Sequence, residues 1–185
     1  MGMAQTTGAW TLAELDRLPE DSNKYELVDG ELLVTPAPSP AHEELAARLR
    51  ELIAPYVAAL KLGRVYTPRS VVRTDRSQVE PDLMVRPEMQ SLPKKWEDMP
   101  TPLLVVEIAS KSTRLRDHHQ KRKFYREIGV PEYWIVDRET RSIRIISVNA
   151  RDVVATSSFE WLPGGATEPL YIDVAAYFLA ALGAP

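Results

Sequence analysis

Leu103-Leu104-Val105-Val106-Glu107-Ile108-Ala109 decides how the rest of this chain is read. A continuous apolar run holding a single acid is expected as a buried central strand. Downstream, residues 114–128 read as a helix closed by Gly129 and Pro131. Tyr133-Trp134-Ile135-Val136 then reads as a second buried strand. A strand–helix–strand passage of this kind favours a parallel pair.

Working outward toward the N-terminus, Val79 to Val85 and Val65 to Val72 read as further strands, with a loop from Pro87 to Pro102. Ser39-Pro40 opens a helix, Ser39 as N-cap and Pro40 in the first turn. Leu45, Leu49, Leu52 and Ile53 recur at helical spacing, and the helix is expected to run to about Leu60 and stop at Gly63. Before it, Tyr25 to Val34 forms two strands joined at Asp29-Gly30, a tight-hairpin signal because both turn positions need positive φ. Trp10 to Leu18 reads as a short helix capped by Thr11. Toward the C-terminus, residues 142–148, 153–159 and 170–172 read as shorter antiparallel strands, and residues 172–182 as a closing helix capped by Asp173. The expected class is α/β with α+β character, a mixed central sheet flanked by helices. Its 185 residues fit one domain, with a core over about 10–146 and C-terminal strands and a helix over about 150–182.

Composition narrows the function. The chain has no cysteine, so thiolate metal sites and disulfides are excluded and a reducing cytoplasm is the expected setting. No apolar run is long enough to span a membrane. The net charge of −3 argues against a protein that simply coats nucleic acid. A metal-dependent nuclease needs clustered carboxylates, with basic residues only where phosphates lie. A glycine-rich phosphate loop, a Gly-x-Ser-x-Gly elbow and a cysteine nucleophile are all missing from the sequence.

Three features carry chemistry. Glu80-Pro81-Asp82 places acids inside an otherwise apolar strand, and Glu107 is the one acid of the most apolar run. A carboxylate buried without a partner is costly and turns neutral, so such acids ask for a cation or a hydrogen-bond network. On neighbouring strands the two could hold one Mg²⁺ or Mn²⁺, hard ions that take oxygen ligands. The third feature is the basic stretch Lys111, Arg114, Arg116, His118, His119, Lys121, Arg122, Lys123 and Arg126. It reads either as a solvated face or as a phosphate-contacting face of Lys111, Arg114, Arg116, Arg122 and Lys123. Zinc on His118-His119 is disfavoured because adjacent helical residues point in different directions.

At these residues the chain resembles the PD-(D/E)xK nuclease superfamily and, within it, a large bacterial restriction endonuclease family. The resemblance is carried by Tyr25-Glu26-Leu27-Val28-Asp29-Gly30-Glu31, Ser39-Pro40-Ala41-His42, Pro81-Asp82, Val105-Val106-Glu107-Ile108, Arg116-Asp117 with Lys121, Tyr125, and residues 129–137. It implies a restriction-endonuclease-like core and Mg²⁺-dependent phosphodiester chemistry on DNA. The superfamily pattern expects a lysine two residues after the strand acid, where this chain has Ala109. The expected replacement is Lys121 from the following helix, with Lys111 and Lys123 as weaker candidates.

On that resemblance Asp82, Glu107 and the main-chain carbonyl of Ile108 would hold the metal. Lys121 would orient the attacking water or offset the growing charge. Glu26, Glu31 or Glu80 would supply a further contact, Glu26 favoured by its place in the shared segment, and His42 would stand behind the site. A homodimer is expected, because two active sites cut both strands of a duplex most simply. Two other classes of function stay open: a nucleic-acid-binding module without turnover, which Ala109 would allow, and an interaction protein built on the C-terminal strands and the Tyr177-Phe178-Leu179 helix.

Overall fold

The computed structural model describes residues 9–109 and 117–184. In chain order, α1 (Leu12–Leu15) precedes the hairpin β1 (Lys24–Val28) and β2 (Glu31–Thr35), and the long helix α2 (Pro40–Ala59) follows. Then come β3 (Gly63–Tyr66), β4 (Val72–Arg73), β5 (Gln78–Val79), β6 (Leu83–Pro87) and β7 (Leu104–Ala109). A π-helical turn, Asp117–Lys121, leads into α3 (Arg122–Glu127). The chain closes with β8 (Glu132–Asp137), β9 (Ser142–Ser147), β10 (Val153–Ala155), β11 (Ser158–Trp161), β12 (Leu170–Asp173) and α4 (Val174–Leu182).

The main sheet has six strands in the order β10-β9-β8-β7-β6-β3. β7 pairs parallel with β8 and antiparallel with β6, so the sheet is mixed and the class is α/β as expected. All six residues of β7 are buried, as a strand covered on both faces requires. Their side chains alternate. Leu104, Val106 and Ile108 pack into the core under α2 and α4, with Leu45, Leu49, Ile53, Trp134 and Phe178. Val105 and Ala109 pack on the opposite face with Phe124, Tyr125 and Tyr133. By the same alternation Glu107 belongs to this second face.

The hairpin turn follows its residues: φ is 49° at Asp29 and 85° at Gly30, and Val28 pairs directly with Glu31. Ser39 caps α2 by accepting from the His42 amide, and Asp173 caps α4 by accepting from the Ala176 amide. Other boundaries differ from the sequence reading. α1 is confined to Leu12–Leu15. α2 is stopped by Lys61, which takes the left-handed conformation (φ 51°), while the Leu62 amide returns to the Val57 carbonyl. Gly63 instead starts β3, where an added Cβ would lie 1.9 Å from the Arg86 carbonyl oxygen.

The expected strand over residues 79–85 is two strands in different sheets. β5 joins the small sheet β2-β1-β5-β4, whereas β6 joins the main one. Pro81 has no N–H to give to a ladder, so pairing breaks there. Glu80, Pro81 and Asp82 therefore form the crossing between sheets rather than the interior of one strand. Residues 153–159 divide likewise, β10 at the edge of the main sheet and β11 paired with β12.

Candidate active site

The crossing delivers the site. Leu83 pairs with Val106, so one step back along β6 and one step on along β7 bring Asp82 beside Glu107 and Ile108. The hairpin contributes from β1, where Lys24 and Glu26, two residues apart, share a strand face. α2 contributes His42 from its first turn, and the π-helical turn ends on Lys121. These residues line one cleft of about 560 Å³, together with Ser39, Arg69, Glu80, Ala109 and Arg138 among others.

Within the cleft each acid is held by specific donors. Asp82 Oδ2 accepts from the Ile108 amide at 2.8 Å and lies 3.1 Å from His42 Nε2. Asp82 Oδ1 accepts from Lys24 Nζ at 3.1 Å, and the same ammonium donates to the Glu80 carbonyl at 3.1 Å. Lys121 Nζ lies 2.8 Å from Glu107 Oε1 and 2.9 Å from Glu26 Oε1. Tyr125 donates its hydroxyl to Glu107 Oε1 at 2.8 Å, and the Glu80 amide donates to Glu26 Oε1 at 2.8 Å. Glu26, Asp82, Glu107 and Lys121 are at most 3% exposed. Burial of that depth is tolerated only because the charges are paired and hydrogen-bonded.

The acids share these donors unequally. Burial would raise the Asp82 carboxyl, but Lys24, the His42 hydrogen bond and the Ile108 amide outweigh it and hold Asp82 far below the usual carboxylate range. Asp82 is thus ionised and accepts only, so His42 Nε2 is the donor between them. Burial pushes Glu107 up to about 8, the Asp82 and Glu26 carboxylates adding to the effect against the pull of Lys121 and Lys24. Glu26 is equally buried, yet Lys121, Lys24 and the Glu80 amide keep it below its ordinary value. Lys121 thus serves both carboxylates, and burial favours the protonated form of Glu107 more than that of Glu26. Burial also lifts Glu80.

The donor set fits a hard divalent cation. Asp82, just before β6, and Glu107, in the adjacent β7, are two neighbouring carboxylates, and Mg²⁺ is commonly held by one or two carboxylates with water and substrate oxygens completing its shell. The Ile108 amide points toward Asp82, and in an extended strand the carbonyl of the same residue points to the same side. Glu107 Oε2 makes no hydrogen bond among the described residues. Among those residues no three His, Asp or Glu side chains are already gathered as a metal cage; the oxygens nearest Asp82 are bridged by Lys24 instead.

Of the residues expected from sequence, Asp82, Glu107, Ile108, Lys121 and Glu26 come together. Glu80 and His42 line the same cleft. Glu31 lies on the surface, where it accepts from Gln120. Arg122 is bound through both terminal nitrogens to Asp152 at 2.7 and 2.8 Å. Lys123 pairs with Asp29 at 3.3 Å and Glu127 at 3.7 Å. Neither lines the cleft. Lys111, Arg114 and Arg116 lie outside the described residues. Two contributors were not picked out from sequence. Tyr125 reads from sequence as part of the apolar side of its helix and as one of the shared segments, and nothing there marks it as a partner of Glu107. Lys24 was passed over, although its i, i+2 spacing from Glu26 in a strand was a usable signal.

Comparison with known proteins adds relatives to this geometry. No curated protein matches the chain. Among solved structures, a "putative nuclease belonging to DUF820" from Anabaena variabilis ATCC 29413 is similar, with a TM-score of 0.77 at 17% identity. The match covers 94% of this chain and 99% of that one, so the two share the fold. A family model described as "Putative restriction endonuclease" (Uma2) matches residues 12–170. That span takes in the hairpin, α2, the crossing at Pro81, β7 and the π-helical turn, and on it the chain belongs to the Uma2 restriction endonuclease family.

Proposed function

We propose that this chain is a metal-dependent endonuclease that hydrolyses phosphodiester bonds in DNA. One observation carries the reading: two buried acids, Asp82 just before β6 and Glu107 in the adjacent β7, sit side by side, and a lysine is returned by the helical turn to Glu107 Oε1 at 2.8 Å. Membership of a restriction endonuclease family supports it. Mg²⁺ or Mn²⁺ held by Asp82, Glu107 and the Ile108 carbonyl would polarise the scissile phosphate and lower the pKa of a water.

The chain's own residues do the rest. His42 and the Ile108 amide fix the Asp82 carboxylate in one orientation. Tyr125 and Lys121 fix Glu107. Lys121 does what a lysine at position 109 would do, reaching the same face of β7 from the following turn. Its ammonium orients the attacking water and offsets the charge that grows on the phosphate. Glu26 anchors that ammonium. Ala109 leaves the wall beside Glu107 small. Lys111, Arg114, Arg116, Arg122 and Lys123 remain the proposed backbone-contacting cations. The protein acts as one domain, in the cytoplasm, as a homodimer that sets two such clefts on a duplex.

Cleavage of supercoiled plasmid tests the reading, with Mg²⁺, Mn²⁺ or EDTA. Wild type is expected to nick only with metal. Asp82→Asn, Glu107→Gln and Lys121→Met are each expected to lose about a hundredfold or more in rate, with circular dichroism showing that they fold. A second reading, a family member that binds nucleic acid without cutting, is favoured by the bridging of Asp82 by Lys24. Binding without cleavage under any metal identifies it.

A further inference from the structure

Lys24 has no part in the chemistry above, yet it sits against one of the two acids that would carry it. Its ammonium lies 3.1 Å from Asp82 Oδ1 and 3.1 Å from the Glu80 carbonyl oxygen. The side chain is 18% exposed, and it is attracted further by Glu26 and Glu107. A carboxylate and a main-chain carbonyl are the donor types that Mg²⁺ and Mn²⁺ take. Lys24 thus makes, as a monovalent cation, the contact with Asp82 that the proposed divalent ion would make, and adds the Glu80 carbonyl.

We infer that the Lys24 ammonium stands in for the divalent cation in the metal-free protein, and that loading the metal means displacing it from Asp82. The inference rests on the nuclease reading. Lys121 provides the contrast. It binds Glu26 and Glu107 and touches neither oxygen of Asp82 in any contact described, so metal at Asp82 leaves its place intact. Asp82 Oδ2 is held by His42 and the Ile108 amide, so Oδ1 is the oxygen that changes partners.

The stem makes the exchange feasible. Lys24 comes from the small sheet, whereas Asp82 and Glu107 flank the main one, so the contact crosses between sheets and belongs to neither ladder. A lysine has a flexible four-carbon stem and a compact, strongly hydrated charge. It can withdraw into the cleft, which it already lines beside Ser22 and Arg69, without moving β1. The lysine keeps the buried Asp82 compensated until metal arrives, at the cost of competing with that metal.

The test is the affinity for Mn²⁺ alone, by titration calorimetry and by the metal-induced rise in melting temperature. Wild type is compared with Lys24→Met and with Arg69→Met, a second cation of the cleft that does not contact Asp82. Lys24→Met is expected to bind Mn²⁺ at least about tenfold tighter, because a close buried charge contact has been removed. Its metal-induced rise in melting temperature should exceed that of wild type. Arg69→Met is expected to change the affinity by less than about threefold, through screened charge alone. If Lys24→Met does not fold without metal, Lys24→Gln, neutral but able to hydrogen-bond, takes its place.

Wild type binding Mn²⁺ while the Lys24 variants bind it no more tightly would overturn the inference and leave the nuclease reading standing. A gain in Arg69→Met equal to that in Lys24→Met would overturn it too, by reducing the effect to net charge. Mn²⁺ binding to none of the proteins would remove the metal-dependent reading and this inference with it. Binding to the Lys24 variants alone would support the inference in its strongest form, a lysine that wild type does not release.

Discussion

Glu26 and Glu107 offer their carboxylates to a single ammonium, and the difference in their other donors decides which stays charged. Burial sets the Glu107 carboxyl near 8, so below that pH a proton competes with any cation for it. Mn²⁺ affinity is expected to rise between pH 6.5 and 8.5, levelling off above about 8, and calorimetry at those two values reads it. The stability of the metal-free protein carries the opposite sign. A carboxyl raised on folding binds more protons folded than unfolded. Its contribution is full below the ordinary value of 4.5 and is lost as the pH rises through about 8. At this scale the sequence was informative wherever an ionisable residue sat in an apolar run, as with Asp82 and Glu107. Lys121 and Glu26 came from the shared segments. For Lys24 the i, i+2 spacing from Glu26 gives its strand face, but a lysine at the start of a strand resembles a solvated one, and only the placement of Asp82 outside that sheet makes it a partner. The pairing of Arg122 with Asp152, 30 residues away, could not be read either, since sequence separation carries no sign of contact.

β1, α2, the crossing before β6, β7 and the π-helical turn all bring groups to the cleft, so the ends of elements matter more here than their interiors. Ser39 caps α2, and the same first turn presents His42 to Asp82. Ser39→Ala is expected to cost about 1 kcal/mol, read by chemical denaturation, with His42 and hence Asp82 less firmly placed. Gly63→Ala should be far more damaging, about 3 kcal/mol or more, because the new Cβ would meet the Arg86 carbonyl oxygen at 1.9 Å and push β3 from β6. Caps and tight turns were legible because their local chemistry is decisive: Asp29-Gly30, Ser39-Pro40 and Asp173 all act within a few residues. The split at Pro81 was not. Residues 79–85 are apolar enough for one strand, and the choice between two sheets is made by partners far along the chain. The stop of α2 went to Lys61 for the same reason. Gly63 was already needed where the backbone of β3 passes that of β6.

In the whole molecule, the parallel β7–β8 pair at the centre and the helices on both faces were foreseeable, since a buried strand, a helix and a second buried strand leave few alternatives. The small second sheet was not. It exists because β5 leaves the main sheet, and it supplies Glu26 and Lys24. No helix of the described residues is long and apolar enough to cross a membrane. Val153, Val154, Tyr171 and Leu179 are about half exposed or more, on the edge strand β10 and the C-terminal elements. The proposed homodimer predicts, by size-exclusion chromatography with light scattering, twice the chain mass of 20.9 kDa; a monomer with and without DNA would remove it. The crossing at Glu80-Pro81-Asp82 has one more consequence, for a chain still being made. The site draws on Glu26 near one end and Lys121 nearly a hundred residues later, and on two sheets that touch there only when both have formed. A nascent chain that has emerged as far as β7 holds its acids but not the lysine that completes them. On the endonuclease reading proposed above, cleavage would become possible only once the helical turn after β7 has been made and folded.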